Sequence, residues 1–143
     1  MADVNIVKFV TEWPNYLYIA TAVVSGTMLV LPMVRRGAGG ATVSAQEATL
    51  MMNRMDAVVL DVREQQEYQK GHIIHARNAP LSRLETQTGE LQKLRTKPVI
   101  VACENGSQSG RAASMLRKQG FEKVHTLAGG LAAWRQAGLP VEK

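Results

Sequence analysis

The sequence predicts an α/β domain on a mainly parallel sheet, preceded by one transmembrane helix. Three observations carry that expectation. Short runs rich in Val and Ile, residues 57–62 and 98–103, read as buried parallel strands. Helical patterns alternate with them along residues 42–143, as helices covering a parallel sheet do. Ahead of both, residues 13–34 form a run of 22 uncharged and mostly apolar positions.

The apolar run comes first. As a helix it is roughly 33 Å long, enough to cross a bilayer core. Pro14 falls in the first turn, where a helix tolerates it. Trp13, Tyr16 and Tyr18 gather at one end like interfacial aromatics, and Arg35 and Arg36 close the other. The arginine pair places everything after residue 34 in the cytoplasm and the short N-terminal tail, 1–12, outside. A cleaved secretory signal would carry its basic residues before the apolar run, not after it. Residues 35–41 read as a linker, flexible at Gly37-Ala38-Gly39-Gly40-Ala41.

Within residues 42–143 the first helix is expected over 45–53, with Ala48, Met51 and Met52 on its apolar side. A short polar helix follows at 64–70. A third, 109–119, carries Ala112, Ala113, Met115 and Leu116 and stops at Gly120. Residues 124–127 make a third strand, and 131–136 a last helix ended by Gly138 and Pro140. Trp134 and the seven methionines read as core.

Composition limits the chemistry. The single cysteine excludes an internal disulfide and any multi-cysteine zinc or iron–sulfur site. His72, His75 and His125 match no ligand spacing, so no metal and no cofactor are expected. The net charge of +5 is spread singly, with no basic run longer than two, so nucleic acid is not an expected partner.

Cys103 ends the strand 98–103, where open α/β sheets place their sites. Composition alone reads it equally well as a small buried hydrophobe. The segment after it, Glu104-Asn105-Gly106-Ser107-Gln108-Ser109-Gly110-Arg111, favours function. Its glycines and small polar residues allow a tight loop with inward N–H groups, running into a helix N-terminus. Such a cradle favours thiolate and makes Cys103 a candidate nucleophile. Asp61, Arg63 and Glu67 read as an ion-pair and capping cluster rather than a pocket rim.

Three stretches of the chain resemble the rhodanese-like (sulfurtransferase) domain family. The first is Asp61-Val62-Arg63 with Glu67-Tyr68, Gly71-His72-Ile73 and Asn78-Ala79-Pro80-Leu81. The second is the loop and helix from Cys103 to Ala113. The third is Gly129-Gly130-Leu131, Ala133-Trp134 and Gly138-Leu139-Pro140-Val141. The likeness covers about residues 42–143. It implies a five-stranded parallel sheet with helices on both faces. It also implies a catalytic Cys103 that takes sulfane sulfur as a persulfide and passes it to a thiol or other acceptor. The backbone of Glu104, Asn105, Gly106, Ser107, Gln108 and Ser109 would cradle that persulfide. Taken together with the apolar run 13–34, the likeness leads to the expectation of a bacterial inner-membrane protein of single-pass type, anchored in the lipid bilayer and placed to meet a membrane-protein partner.

Two departures from the family pattern stand out. Gln108 occupies a position where many active members carry Arg. A neutral amide cannot supply charge to an anionic donor such as thiosulfate, and Arg111, one helical turn on, is the candidate anion contact. Ile74 and His75 stand where Pro and Gly are usual. Phosphatases with a related loop need an Arg six residues after the Cys, and Ser109 is there instead. The expected function is sulfur transfer through Cys103 to a thiophilic acceptor. The alternative is a catalytically weak binding or scaffold module at the membrane. A weaker third expectation is a redox sensor in which Cys103 is oxidised to a sulfenic acid.

Overall fold

The structure, a computed structural model, describes residues 13–39 and 41–143. The tail expected over 1–12 lies outside the described residues. The chain divides into two units, Met1–Arg35 and Arg36–Lys143. Helix α1 spans Trp13–Gly39, 27 residues. It therefore runs through 35–39, where a linker was expected. Once a helix is nucleated, each added residue gains a backbone bond, and glycines at its end weaken that gain without abolishing it. Two threonines of α1 bond their own helix: Thr21 Oγ1 donates to Leu17 O at 2.9 Å, and Thr27 Oγ1 to Val23 O at 2.6 Å. Among the described residues no helix is long and apolar enough to cross a membrane. The helix expected over 13–34 is thus found, and its membrane span is not.

The second unit holds β1 (Thr42–Val43), α2 (Ala45–Met55), β2 (Val58–Asp61), α3 (Gln65–Lys70), β3 (His72–Ile73) and β4 (Arg77–Asn78). A 3-10 turn at Leu81–Arg83, α4 (Thr88–Leu91) and a second 3-10 turn at Gln92–Leu94 lead to β5 (Val99–Ala102). Then come α5 (Ser109–Lys118), β6 (Val124–Leu127), α6 (Gly130–Gln136) and β7 (Val141–Glu142). Five strands form one sheet in the order β1-β6-β5-β2-β4, with every pair parallel. The strands β3 and β7 pair antiparallel in a separate ribbon.

The two faces are sorted by the two-residue period of the strands. Along β5, Val99, Val101 and then Cys103 point to a cluster with Ala112, Ala113 and Leu116 of α5. Ile100 and Ala102 point to the opposite cluster, with Ala45 and Ala48 of α2 and Leu131 and Trp134 of α6. Helices therefore cover both faces. Trp134 is core, as expected, and its Nε1 donates to Pro140 O at 3.0 Å. Met51 and Met52 pack partly buried against the same cluster. The sheet order creates the site. After β2 the chain moves outward to β4, whereas after β5 it moves the other way to β6. The two loops part at the carboxyl ends of the central strands, and a crevice opens between them.

Candidate active site

Cys103 directly follows β5, at the floor of that crevice, and is only 2% exposed. Its Sγ accepts a bond from the Gly106 N–H at 3.1 Å. The loop is stitched by its own small polar groups. Ser109 Oγ donates to Gly106 O at 2.9 Å, and Asn105 Oδ1 accepts from Ser107 Oγ at 2.8 Å and Ser107 N at 3.3 Å. Gly106 sits at φ +88, which turns its N–H back onto the sulfur.

The start of α6 holds this loop from behind. Leu131 N donates to Cys103 O at 2.8 Å and Ala132 N to Glu104 O at 2.9 Å. These carbonyls are thereby drawn away from the thiol, while unpaired first-turn donors of α6 are satisfied. Gly130 makes the approach feasible. A Cβ there would lie 2.3 Å from Cys103 O and 2.8 Å from both Glu104 O and Gly106 N.

The facing wall rests on a buried ion pair. Arg63 Nε and Nη2 reach both oxygens of Asp61, the shortest at 2.7 Å, and Nη2 also donates to Gly71 O at 2.7 Å. Its Nη1 reaches Glu104 Oε2 at 2.8 Å across the crevice, and Arg135 Nη1 meets Glu104 Oε1 at 3.3 Å. Burial disfavours the Arg63 charge. The bond and charge of Asp61, joined by Glu104, outweigh it and hold the guanidinium above its ordinary value. Glu67 pairs with Lys70 at 2.6 Å instead of joining this network. The cap residue of α3 is Glu64, whose side chain makes no capping bond.

The crevice encloses a cavity of about 580 Å³. Cys103, Glu104, Asn105, Ser107, Gln108 and Arg111 form one side, and Val62, Arg63, Glu64, Glu67, Leu81 and Ser82 the other. Gly106 and Ser109 stand behind the lining, one bonding the sulfur and the other bracing the loop. Gln108 and Arg111 are both exposed at the cavity. Among the backbone donors of 104–109, Gly106 N–H meets Sγ, and Ser107 N–H is turned to Asn105. The three histidines lie elsewhere: His72 stacks on Tyr68 at 3.6 Å, His75 lies in the turn after β3 at φ 59, and His125 sits on β6. Sequence reasoning missed the Arg63–Glu104–Arg135 chain and the seat at Gly130. The Gly129-Gly130 pair was the visible signal for the second. Nothing local signalled the first, because Arg63 and Glu104 are 41 residues apart.

The site is thus a buried thiol on a strand–loop–helix turn of a parallel α/β sheet, under a backbone donor and beside a small cavity, an arrangement that can support nucleophilic chemistry at sulfur. The chain belongs to the rhodanese-like domain family, whose model matches residues 44–137. It is 45% identical over 78 residues to the uncharacterized protein YqhL of Bacillus subtilis, a match covering 54% of this chain and 60% of YqhL. It is 34% identical over 93 residues to the thiosulfate sulfurtransferase GlpE of Coxiella burnetii, covering 65% of this chain and 85% of that one. A rhodanese-related protein from Thermoplasma volcanium, solved by crystallography, superposes with a TM-score of 0.65 at 29% identity, over 72% of this chain and 98% of that chain.

Proposed function

We propose that the chain is a sulfurtransferase that carries sulfane sulfur on Cys103. The observation that carries this reading is the Cys103 sulfur itself: buried, facing a small-molecule-sized cavity, and already bonded by a backbone N–H. The Cys103 thiolate attacks the outer sulfur of a donor. The donor's sulfur bond breaks, its electron pair leaves with the donor, and Cys103 is left as a persulfide. A thiol acceptor then takes the outer sulfur and returns the thiolate. A backbone donor suits this step because it stays in place and cannot be titrated away. The activity carried in the name of the Coxiella relative supports the reading.

The test is intact-mass spectrometry of the full chain in detergent, after incubation with thiosulfate and separately with an organic persulfide. The expected result is a gain of one sulfur on Cys103, reversed by dithiothreitol and absent in Cys103→Ser. A folded protein that gains no sulfur from either donor refutes the reading and leaves a binding module.

We further propose that α1 attaches this domain to the cytoplasmic face of a bacterial inner membrane. Leu17, Val23, Val24, Met28, Leu29 and Val30 are exposed along it, its threonines bond within the helix, and in sequence the uncharged run continues to Val34. Arg35 and Arg36 favour a cytoplasmic placing of residues 42–143. Carbonate extraction of membranes should leave the full chain in the pellet, and spheroplast proteolysis should spare residues 42–143. Release by carbonate refutes the attachment, and cleavage of the domain refutes the orientation.

A further inference from the structure

The charges around the cavity cancel in a pattern that leaves two groups over. Arg63 is closed by Asp61 and Glu104, Glu104 also by Arg135, and Glu67 by Lys70. Two charged residues of the lining, Glu64 and Arg111, enter no ion pair among the described residues. Glu64 only accepts from Ser82 Oγ, at 2.8 Å. One carboxylate and one guanidinium with no ion-pair partner among the described residues therefore share a cavity with the Cys103 thiol. A dianion such as thiosulfate meets one cation opposed by an anion there. A ligand with one charge of each sign meets a partner for both.

We propose that the sulfur donor is a small zwitterionic alkyl persulfide of the amino-acid type, with its ammonium on Glu64 and its carboxylate on Arg111. The proposal rests on the sulfurtransferase reading and specifies its substrate class. The reaction balances without an added oxidant or reductant. Cys103–S⁻ attacks the terminal sulfur of R–S–SH, a new S–S bond forms, the old one breaks, and R–S⁻ departs. Cys103 then carries –S–SH. Both unpaired groups are exposed at the cavity, so a ligand can replace their water. The cavity, about 580 Å³, suits a molecule of this size.

The test measures initial rates of sulfur loading on the full chain in neutral detergent, read by acid quench and intact mass. Four donors are compared: cysteine persulfide, its N-acetyl derivative, its methyl ester and 2-hydroxyethyl persulfide. Wild type should prefer cysteine persulfide by roughly tenfold over the N-acetyl and ester forms, which each lose one charge. Glu64→Gln should erase the discrimination against the N-acetyl form, and Arg111→Gln that against the ester. Equal rates for the four donors, or discrimination that survives both variants, overturn the proposal while leaving sulfur transfer standing. Failure of every donor to load Cys103, 2-hydroxyethyl persulfide included, overturns the sulfurtransferase reading and this proposal with it.

Discussion

Gly130→Ala is the sharpest perturbation of the cradle. The residue sits at φ +60, a conformation costing an L-residue about 1–2 kcal/mol. The added methyl would stand 2.3 Å from Cys103 O and 2.8 Å from Glu104 O and Gly106 N. All three are backbone atoms, so no side chain can swing aside. Either α6 backs away, losing the bonds from Leu131 N and Ala132 N at about 1 kcal/mol each, or the loop shifts under overpacking strain of about 1–3 kcal/mol. The combined loss is about 4 kcal/mol, a large share of the stability of an ordinary domain. Movement of Gly106 also takes its N–H off the Cys103 sulfur, so sulfur loading should slow. Urea unfolding followed by fluorescence of buried Trp134, beside mass-resolved loading, reads both effects. Gly110→Ala is the matched control. It lies in α5 with nothing within 4 Å of its added methyl, and it should be neutral or stabilised by up to about 1 kcal/mol. A Gly130→Ala protein within about 1 kcal/mol of wild type, with loading unchanged, refutes the account of a loop clamped by α6.

Other perturbations test the surroundings of the site. Asp61→Asn strips the main counter-charge from a guanidinium 6% exposed, and should cost about 3–5 kcal/mol in urea unfolding; a loss below about 1 kcal/mol would mean that Glu104 alone suffices. His75 is held at φ 59 where the family usually has glycine, so His75→Gly should raise the unfolding free energy by about 0.5–1 kcal/mol after the glycine's extra chain entropy is deducted. Burial, and then Arg117, hold His125 below its ordinary value of 6.5. The fold thus penalises the charged ring, and its contribution is present above the unfolded value and lost as pH falls below it. The urea midpoint should drop between about pH 7.5 and pH 5, and less steeply in His125→Gln; an identical drop in both proteins would assign the effect to other groups.

The parts of this fold legible in the sequence are those whose signal is local. The runs 57–62 and 98–103 become β2 and β5 within a residue at each end, because a short strand buried on both faces makes a local apolar run. Residues 124–127 match β6 at both ends, and α5 begins at Ser109 as expected. The two-residue strands β1, β3, β4 and β7 were not legible, because no period can show in two residues. They exist through pairing, as when Thr42 lies beside Thr126, and pairing is tertiary. The extension of α1 through Gly39 has the opposite cause: a Gly-rich composition reads as a loop, yet a helix already formed can carry it. Asp61 and Arg63 looked like a local pair, and they are one. That Arg63 also reaches Glu104, and Glu104 reaches Arg135, depends on three chain segments meeting in space.

The same distinction explains why the loop can differ from its family at Gln108 and still look like a site. The sulfur is held by the N–H of Gly106, and that N–H is aimed by backbone: φ +88 at Gly106, the Ser109 hydroxyl on Gly106 O, and the α6 amides on the carbonyls of Cys103 and Glu104. None of these needs a particular side chain at 108. What they need is the absence of one at 106 and 130, and a hydroxyl at 109. Gln108 lines the same cavity as Glu64 and Arg111, and the sulfur's own bond comes from Gly106. Replacing Gln108 with Arg should therefore change donor preference toward thiosulfate while leaving unfolding stability within about 0.5 kcal/mol. Equal donor preference in the two proteins would mean that the charge at position 108 plays no part in selecting the donor.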